Sequence, residues 1–293
     1  MKEISLCMMS RKGYTVLREL IDKGYTEHID KVFIAHDKNM ANDYYEEMNI
    51  ACKDAGICVF DRTEKIAITS SYCFAVSWRW IIPLREGTKV IIFHDSILPK
   101  YRGFSPLVNM LINKETFIGV SALYATNEYD KGEIIAQRKT KVNYPIKISD
   151  AIDLISPLFT EIIIEIIEKI KNCLPILSIP QNEADATYSL WRDEEDYHID
   201  WKSSADDIQQ FVYSVGYPFK GAYTILDGEK IRVLDCKPLA DVIVENRISG
   251  KLIFLDNGFP IIVCGKGLLK ILSAENEEGQ SILPLQKFRA RFE

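Results

Sequence analysis

Apolar runs alternate with amphipathic stretches through the first part of the chain, up to about residue 120. Short apolar runs predict buried strands, and apolar positions that recur every three or four residues predict helices. The predicted strands are residues 4–9, 31–35, 74–77 and 89–93, and the predicted helices are residues 14–23 and 39–55. This alternation is typical of an α/β fold, in which helices cross over between the strands of a parallel sheet.

A long helix is predicted over residues 149–172, where isoleucines recur at three- and four-residue spacing. Ser149 is a suitable N-cap, because its hydroxyl can accept a hydrogen bond from a free N–H group of the first turn. Pro157 lies inside this segment and lacks a backbone donor, so we expect a kink or a later helix start.

Beyond residue 175 the pattern changes to short strand-like runs separated by turn dipeptides such as Asp227-Gly228 and Asn257-Gly258. The predicted strands are residues 222–226, 231–234, 251–255, 260–264 and 268–273. Several short strands in so little chain indicate a small barrel or sandwich. We therefore predict two domains, residues 1–204 and residues 205–293.

The amino-acid composition indicates the class of protein. Hydrophobic residues make up 47% of the 293 positions and charged residues 27%, which is typical of a globular chain and excludes disordered, collagen-like and disulfide-scaffold classes. The net charge of −6 provides no overall field that would attract nucleic acid. Any polyanion would have to bind a local patch.

The cysteine pattern and the apolar stretches predict a cytoplasmic location without a membrane segment. The seven cysteines are scattered and show no CxxC pair, which favours a reducing compartment. The apolar run at residues 4–9 is too short for the core of a signal peptide. The most apolar segment, residues 161–170, carries a charge every few residues, which excludes a membrane span.

Several standard motifs are missing from the sequence. The turn after the first predicted strand has a single glycine, Gly13, and therefore no GxGxxG, which disfavours a dinucleotide cofactor. Walker A, HExxH and paired-cysteine patterns are also missing, so P-loop phosphoryl transfer and zinc catalysis lose support, and we expect no metal.

The segment with the clearest chemistry begins as a buried strand and ends at His94. Open α/β sheets place their active sites at the carboxyl ends of strands, where His94 lies. Asp130 occupies a polar loop before Gly132, and such a loop can bring a carboxylate to the imidazole. A histidine oriented by a carboxylate can move a proton near neutral pH, which suits acyl transfer to an amine. The alternative is a structural histidine at a strand end and an ordinary turn aspartate.

Residues 94–103 (HDSILPKYRG), followed by residues 119–120 and 130–135 (DKGEII), resemble the folate-dependent formyltransferase family. That family includes methionyl-tRNA formyltransferase and the sugar N-formyltransferases. Residues 186–201 resemble the family's segment between domains, and residues 260–272 resemble a strand pair of its C-terminal domain. The similarity covers most of the chain in the family's order.

The resemblance implies a Rossmann-like N-terminal domain that binds N10-formyltetrahydrofolate, and a C-terminal domain like an OB barrel. His94 and Asp130 fall on the family's catalytic histidine and aspartate. In the implied mechanism an amine attacks the formyl carbon, His94 holds the oxyanion or relays the proton, and Asp130 orients and charges His94. Residues 77–83 match a loop that lines the pterin pocket, and the alternative is a strand end with packed tryptophans. The residues expected to bind the folate are Ser77, Trp80, Ile82, Asn127 and Asp130.

One position departs from the family pattern. The family has asparagine two residues before the histidine, where this chain has Ile92. Losing an oxyanion donor costs about 3 to 4 kcal/mol of transition-state stabilisation. Three explanations stay open: Asn127 or Ser96 supplies the bond, the enzyme is slow or altered, or the strand pattern is offset here.

The charge of the C-terminal part bears on the formyl acceptor. From residue 206 onward there are 11 Lys and Arg against 12 Asp and Glu, a net charge of −1, which argues against a tRNA substrate. A nucleotide sugar of surface-polysaccharide synthesis, such as the lipopolysaccharide O-antigen pathway, fits better. Basic side chains would pair with its diphosphate and aromatic ones would stack on its base, unless they are simply solvated surface groups. The candidates are Arg11, Lys12, Tyr14, Lys100, Tyr101, Arg102 and Trp191.

The sequence therefore predicts an N-formyltransferase that moves a formyl group from N10-formyltetrahydrofolate to the amine of a nucleotide-linked deoxyamino sugar. Two alternatives stay open. One is methionyl-tRNA formyltransferase, and the other is a folate or nucleotide-sugar binding protein that lost catalysis with the asparagine. The resemblance to sugar enzymes also favours a homodimer.

Overall fold

The computed structural model describes residues 2–82 and 86–293, so Pro83 of the predicted pterin loop lies outside the described residues. The chain divides into two compact units. Unit 1 consists of Met1–Met110, Thr116–Val142 and Ala151–Leu190, and unit 2 consists of Leu111–Glu115, Asn143–Asp150 and Trp191–Glu293. The functional boundary between residues 204 and 205 stays a prediction.

Unit 1 is built around a seven-stranded sheet. Its strands and the two short strands beside them are β1 (Ile4–Met8), β2 (Ile29–Ile34), β3 (Cys58–Asp61), β4 (Tyr72–Val76), β5 (Lys89–His94), β6 (Arg102–Gly103), β7 (Phe117–Tyr124), β8 (Ile134–Lys141) and β9 (Tyr188–Ser189). The order across the sheet is β3-β2-β1-β4-β5-β7-β8, and β6 pairs with β9.

The predicted mostly parallel α/β sheet is confirmed. The pairs from β3 through β5 are parallel, whereas β7 runs antiparallel to β5 and β8 antiparallel to β7. The strand order reverses between β1 and β4. In open sheets of this Rossmann-like kind, ligands bind outside the carboxyl ends of the strands at such a reversal.

The helices of the chain are α1 (Ser10–Asp22), α2 (Tyr45–Asp54), α3 (Pro106–Ile112), α4 (Ile148–Lys171) and α5 (Ala205–Ser214), with 3₁₀ helices at Tyr25–His28, Glu183–Asp185 and Glu195–Tyr197. The helix predicted over residues 39–55 begins only at Tyr45. The preceding residues form turns in which the Asp43 carboxylate accepts from the N–H groups of Asp37 and Tyr45.

Helix α4 corrects two details of the prediction. It begins at Ile148, so Ser149 lies inside the first turn and is not the N-cap. It also continues through Pro157 to Lys171. Most of its isoleucines are buried as their spacing predicts, and this packing supports the helix past the missing donor. Across residues 2–82 and 86–293, no helix is long and apolar enough to cross a membrane.

Unit 2 contains five antiparallel strands in the order β10-β11-β14-β13-β12. They are β10 (Ala222–Leu226), β11 (Glu229–Leu239), β12 (Leu252–Asp256), β13 (Phe259–Val263) and β14 (Leu268–Glu275). The last residues of the chain bridge the two edge strands: Ile225 and Glu293 exchange backbone hydrogen bonds of 2.8 and 2.9 Å, and Leu252 donates to the carbonyl of Ala290 at 3.1 Å. The sheet is thereby closed into a barrel-like form.

Three strands of the seven-stranded sheet, β3, β7 and β8, lie outside the predicted strands. Strand β3 has only four residues, and β7 leads into the polar loop that holds Asp130. Strand β8 has the sequence IIAQRKTK and lies at the edge of the sheet. Edge strands often carry charged side chains, which discourage pairing with another chain. The polar second half of β8 hides the strand from a pattern search based on apolar runs.

Candidate active site

His94 is the last residue of β5, and its side chain is buried. Its Nε2 atom lies 2.8 Å from the carbonyl oxygen of Tyr101, and its Nδ1 atom lies 3.6 Å from Oδ1 of Asp130. Both ring nitrogens therefore face acceptors. A neutral imidazole has one N–H, so only the protonated ring can offer a hydrogen to both.

Asp130 comes from the loop between β7 and β8. Its Oδ2 accepts a hydrogen bond of 2.8 Å from the backbone N–H of Gly103, which leaves Oδ1 facing His94. Its backbone has φ of 54°, in the left-handed region that non-glycine residues seldom adopt. Two residues later, a Cβ on Gly132 would lie 1.7 Å from the carbonyl oxygen of Tyr124, so this turn requires glycine.

The segment after His94 is held by buried hydroxyl groups. Ser96 donates to the carbonyl of Lys100 at 2.7 Å, and Ser121 on β7 donates to the carbonyl of Ser96 at 2.6 Å. The N–H of Leu98 in turn donates to the Ser121 hydroxyl at 3.0 Å. These bonds fix the loop whose Tyr101 carbonyl receives the His94 hydrogen.

Arg102 is fully buried and bonded on every side. Its terminal nitrogens reach the two carboxylate oxygens of Glu183 at 2.9 and 2.8 Å, and its Nε and Nη2 reach the side-chain oxygen of Gln181 at 3.1 and 2.8 Å. The hydrogen bonds to Glu183 raise the pKa of the guanidinium and lower the pKa of the Glu183 carboxyl. The Arg102 guanidinium already has its partners, Glu183 and Gln181, inside unit 1. A contact between Arg102 and the substrate stays a prediction.

Residues 77–82 follow β4 at the carboxyl edge of the sheet. Ser77 has φ of 55°, and its buried hydroxyl has no hydrogen-bond partner within residues 2–82 and 86–293. Trp80 packs edge to face on Trp78 with ring centroids 5.1 Å apart, and Ile82 packs on the core beside Trp78. A buried unused hydroxyl beside aromatic side chains suits a flat polar heterocycle.

The first turn of α1 holds three of the predicted substrate residues. Arg11 pairs with Asp153 at 2.8 Å, and Lys12 pairs with Asp95, the neighbour of His94. Tyr14 stacks on Tyr44 with ring centroids 5.4 Å apart. These side chains have partners within unit 1 that a ligand would have to replace.

The remaining predicted ligand residues are Lys100, Asn127, Tyr101 and Trp191. Lys100 and Asn127 are exposed, and Tyr101 contributes its backbone to the site, with its N–H donating to the Thr187 hydroxyl at 2.9 Å. Trp191 belongs to unit 2, where its side chain is exposed. No group of three or more metal-ligating side chains occurs in the part of the chain that the structure describes.

Comparison with protein families gives two matches. Residues 77–152 match the model of the formyl transferase family, and residues 192–291 match the model of the formyl transferase C-terminal domain. The chain belongs to the formyl transferase family. The first match contains both His94 and Asp130.

Curated family members give the same result. The chain is 30% identical over 192 residues to the methionyl-tRNA formyltransferase of Carboxydothermus hydrogenoformans, a match over 64% of this chain and 60% of the relative. It is 31% identical over 198 residues to that of Thermodesulfovibrio yellowstonii, over 68% of this chain and 61% of the relative. The match thus spans about three fifths of these relatives' length.

A solved structure of another family member shares the fold. The N-formyltransferase of Helicobacter canadensis, solved with folinic acid and dTDP-3-aminofucose, superimposes with a TM-score of 0.69 at 15% identity. The match covers 92% of this chain and 99% of that one. At this identity the likeness establishes the fold.

In the present chain, an apolar residue lies two positions before the candidate catalytic histidine. Ile92 precedes His94 by two positions on β5, and side chains two apart on a strand share a face. It packs against Leu98, Leu123 and Ile134. Of the two suggested substitutes for the missing donor, Ser96 already donates to the Lys100 carbonyl, and Asn127 is exposed.

The sequence analysis did not identify the side chains that join the loops of the candidate site in the present chain. Gln181 lies 79 positions from Arg102 and 51 from Asp130, yet it bonds to both residues. Gly103 contributes a backbone N–H, which no residue-type pattern reveals. The segment around Gln181 has no periodicity and forms no long element, so the sequence offered no signal for it.

Proposed function

We propose that this protein is a folate-dependent N-formyltransferase that acts on the amine of a nucleotide-linked deoxyamino sugar. The observation that carries the proposal is the placement of His94 between the Tyr101 carbonyl and the Asp130 carboxylate, at the carboxyl edge of the sheet. Family membership supports formyl transfer as the reaction.

The two buried side chains have complementary roles in the proposal. When bound, N10-formyltetrahydrofolate supplies the formyl group that passes to the acceptor amine. Asp130 stabilises the positive charge of the His94 ring and fixes its orientation. The Nε2–H of His94 exchanges the Tyr101 carbonyl for the formyl oxygen, where it stabilises the developing negative charge, and the ring carries a proton from the acceptor amine to the departing folate nitrogen.

The turn after β4 fits the formyl donor. The Ser77 hydroxyl is buried without a partner among the described residues, and the Trp78–Trp80 pair lies next to it in sequence. We assign residues 77–82 and the exposed Asn127 to the folate. Arg11, Lys12 and Lys100 are assigned to the diphosphate, and Tyr14 and Tyr101 to the nucleoside, all within unit 1.

A sugar acceptor is supported by the neighbouring fold and by charge. The Helicobacter canadensis structure that this chain matches over nearly its whole length holds dTDP-3-aminofucose. The net charge of −1 from residue 206 onward gives this part of the chain no general attraction for RNA. We infer a role in surface-polysaccharide synthesis, a homodimer, and a cytoplasmic location in which the seven free cysteines remain reduced.

A second candidate, methionyl-tRNA formylation, is favoured by one local feature of unit 2. Residues 287–292 read KFRARF, and cationic side chains alternate with apolar ones along this segment. Ala290 and Phe292 are buried, which leaves the cationic positions outward. Lys287 and Arg291 have acidic partners at 2.7 and 3.9 Å, so this strip is partly neutralised.

A panel of acceptors tests the proposal. The full chain is incubated with formyl-labelled N10-formyltetrahydrofolate and either dTDP- or GDP-linked amino sugars or charged initiator tRNA, and label transfer is measured. We expect transfer to one sugar and loss of transfer in His94→Asn. Transfer to tRNA alone would favour the second candidate. Tight folate binding without transfer to any acceptor would identify a binding protein.

A further inference from the structure

We propose that Gln181 and Arg102 form a positioning pair that holds Asp130 against His94. The inference rests on the proposed function, because it assigns the pair to the geometry of formyl transfer. Neither side chain touches the imidazole. Both act through Asp130 and the backbone on either side of Arg102.

The Gln181 side chain uses its whole hydrogen-bonding capacity inside unit 1. Its amide nitrogen donates to the carbonyls of Asp130 and Gly132 at 2.6 and 2.8 Å. Its oxygen accepts from Nε and Nη2 of Arg102 at 3.1 and 2.8 Å. The orientation of this amide is determined by its partners, since a flipped amide would direct its hydrogens at a guanidinium and its oxygen at two carbonyls.

Arg102 connects this amide to the loop that carries the other contacts. Its guanidinium is anchored by both oxygens of Glu183, and its neighbours in the chain complete the site. Tyr101 provides the carbonyl that accepts from His94, and Gly103 provides the N–H that donates to Asp130. One buried residue therefore lies between the two backbone groups that fix the catalytic side chains.

Asp130 needs such support because of its backbone. With φ of 54° it occupies the left-handed region, which costs free energy unless neighbouring contacts compensate. Gln181 holds the carbonyls on either side of Lys131, which fixes this turn. Without the amide, the turn can relax and Oδ1 of Asp130 can move away from Nδ1 of His94. A displacement of this kind is costly for a reaction that depends on alignment.

The test uses Gln181→Glu, which keeps the size and the contact with Arg102 but replaces the donor by a carboxylate facing two carbonyls. The matched control is Gln286→Glu, the same change at an exposed position of unit 2. We expect kcat for formyl transfer to fall about 10- to 100-fold in Gln181→Glu, with KM changed less than about threefold. The control should match the wild type.

A second measurement does not need activity. The ¹⁵N signals of the His94 ring, assigned by their loss in His94→Asn, report the hydrogen bonds of both ring nitrogens. They should shift in Gln181→Glu and stay unchanged in Gln286→Glu, with thermal unfolding showing that both variants are folded. If the wild type transfers no formyl group, the proposed function fails and these signals alone decide the positioning role.

A double-mutant cycle separates positioning from a merely structural role. If Gln181 acts through Asp130, its replacement should have little further effect on kcat in an Asp130→Asn background. Full additivity of the two substitutions would overturn the proposal. Unchanged His94 signals in folded Gln181→Glu would overturn it as well.

Discussion

Two parts of the carboxyl edge of the unit 1 sheet are built differently. Around His94, the Tyr101 carbonyl accepts from the imidazole and the Gly103 N–H donates to Asp130, so the fold itself positions these polar groups. In the first turn of α1, Arg11 and Lys12 are held by carboxylates that a bound anion can replace. The groups assigned to chemistry are thus preorganised, with only the Tyr101 carbonyl to be replaced at His94, whereas those assigned to recognition must leave a carboxylate when substrate binds.

The largest effect is expected at the preorganised part. His94→Asn and Asp130→Asn should each lower kcat for formyl transfer about 100- to 10,000-fold, because each removes proton transfer or its charge support. Steady-state kinetics measure the loss, and His28→Asn, a change outside the site, is the control. Activity close to wild type in either site variant would remove that residue from the mechanism.

Arg102→Met tests whether this part is set by the fold. The change leaves the oxygen of the half-buried Gln181 and the Glu183 carboxylate without their donors, so the free energy of unfolding should fall by about 2 to 3 kcal/mol. Urea unfolding measures it, and Arg18→Met on the exposed face of α1 should stay within about 0.5 kcal/mol of wild type. Equal losses in the two variants would show that the buried network adds no stability.

Ile92→Asn asks whether the preorganised part is complete. An amide on the histidine face of β5 should raise kcat about tenfold if an oxyanion donor is missing. It should also cost about 2 kcal/mol of unfolding free energy, because Ile92 packs among apolar side chains. Ile92→Val is the apolar control. A folded Ile92→Asn with no gain in rate would mean that the site works without this donor.

Lys12→Ala probes the exchangeable part. Loss of one charge-assisted bond to a diphosphate should raise KM for the nucleotide sugar about fivefold to tenfold with kcat nearly unchanged. Lys23→Ala, in the exposed i,i+4 pair with Glu19, is the control. A fall in kcat at constant KM would instead place Lys12, through Asp95, with the catalytic groups.

The smallest effect concerns pH and the turn after β2. Burial on its own would raise the pKa of Asp43, but hydrogen bonds from the N–H groups of Tyr45 and Asp37 and from His36 lower it overall. Because the pKa of Asp43 is lower in the folded protein than in the unfolded chain, its ionised form stabilises the fold at pH values above the unfolded pKa. This contribution is lost as the pH falls through the folded pKa. Asp43→Asn should therefore flatten the acid limb of the stability curve by up to about 1 kcal/mol. Unfolding free energies measured between neutral and acidic pH check this, and an unaltered limb would contradict it.

The main strands and the end of β5 could be predicted because their signal is local. Residues 4–9, 89–93 and 222–226 are apolar runs bounded by polar turns, and each coincides closely with a strand. His94 follows from such a run. Strand β8 gives no such signal because its edge position allows a polar sequence, and the cap prediction at Ser149 fails because the helix begins one residue earlier, at Ile148.

The candidate site was predictable only in part. The approach of Asp130 to His94 depends on a loop whose course no periodicity encodes, and the resemblance to a family supplied that expectation. The bonds from Gln181 to Arg102 and Asp130 join residues far apart in the chain. The ion pairs of Arg11 and Lys12 likewise depend on where Asp153 and Asp95 fold, which residue type does not indicate.

The tight turn at Gly132 has a consequence for engineering. With a carbonyl oxygen 1.7 Å from where a Cβ would lie, residue 132 tolerates no side chain unless the loop moves, and a Cβ at Gly103 would lie 2.6 Å from the carbonyl of Ser189. Both glycines flank the carboxylate that faces the imidazole. A library built to change the acceptor should keep these two positions invariant and place its diversity at exposed sites such as Lys100 and Asn127.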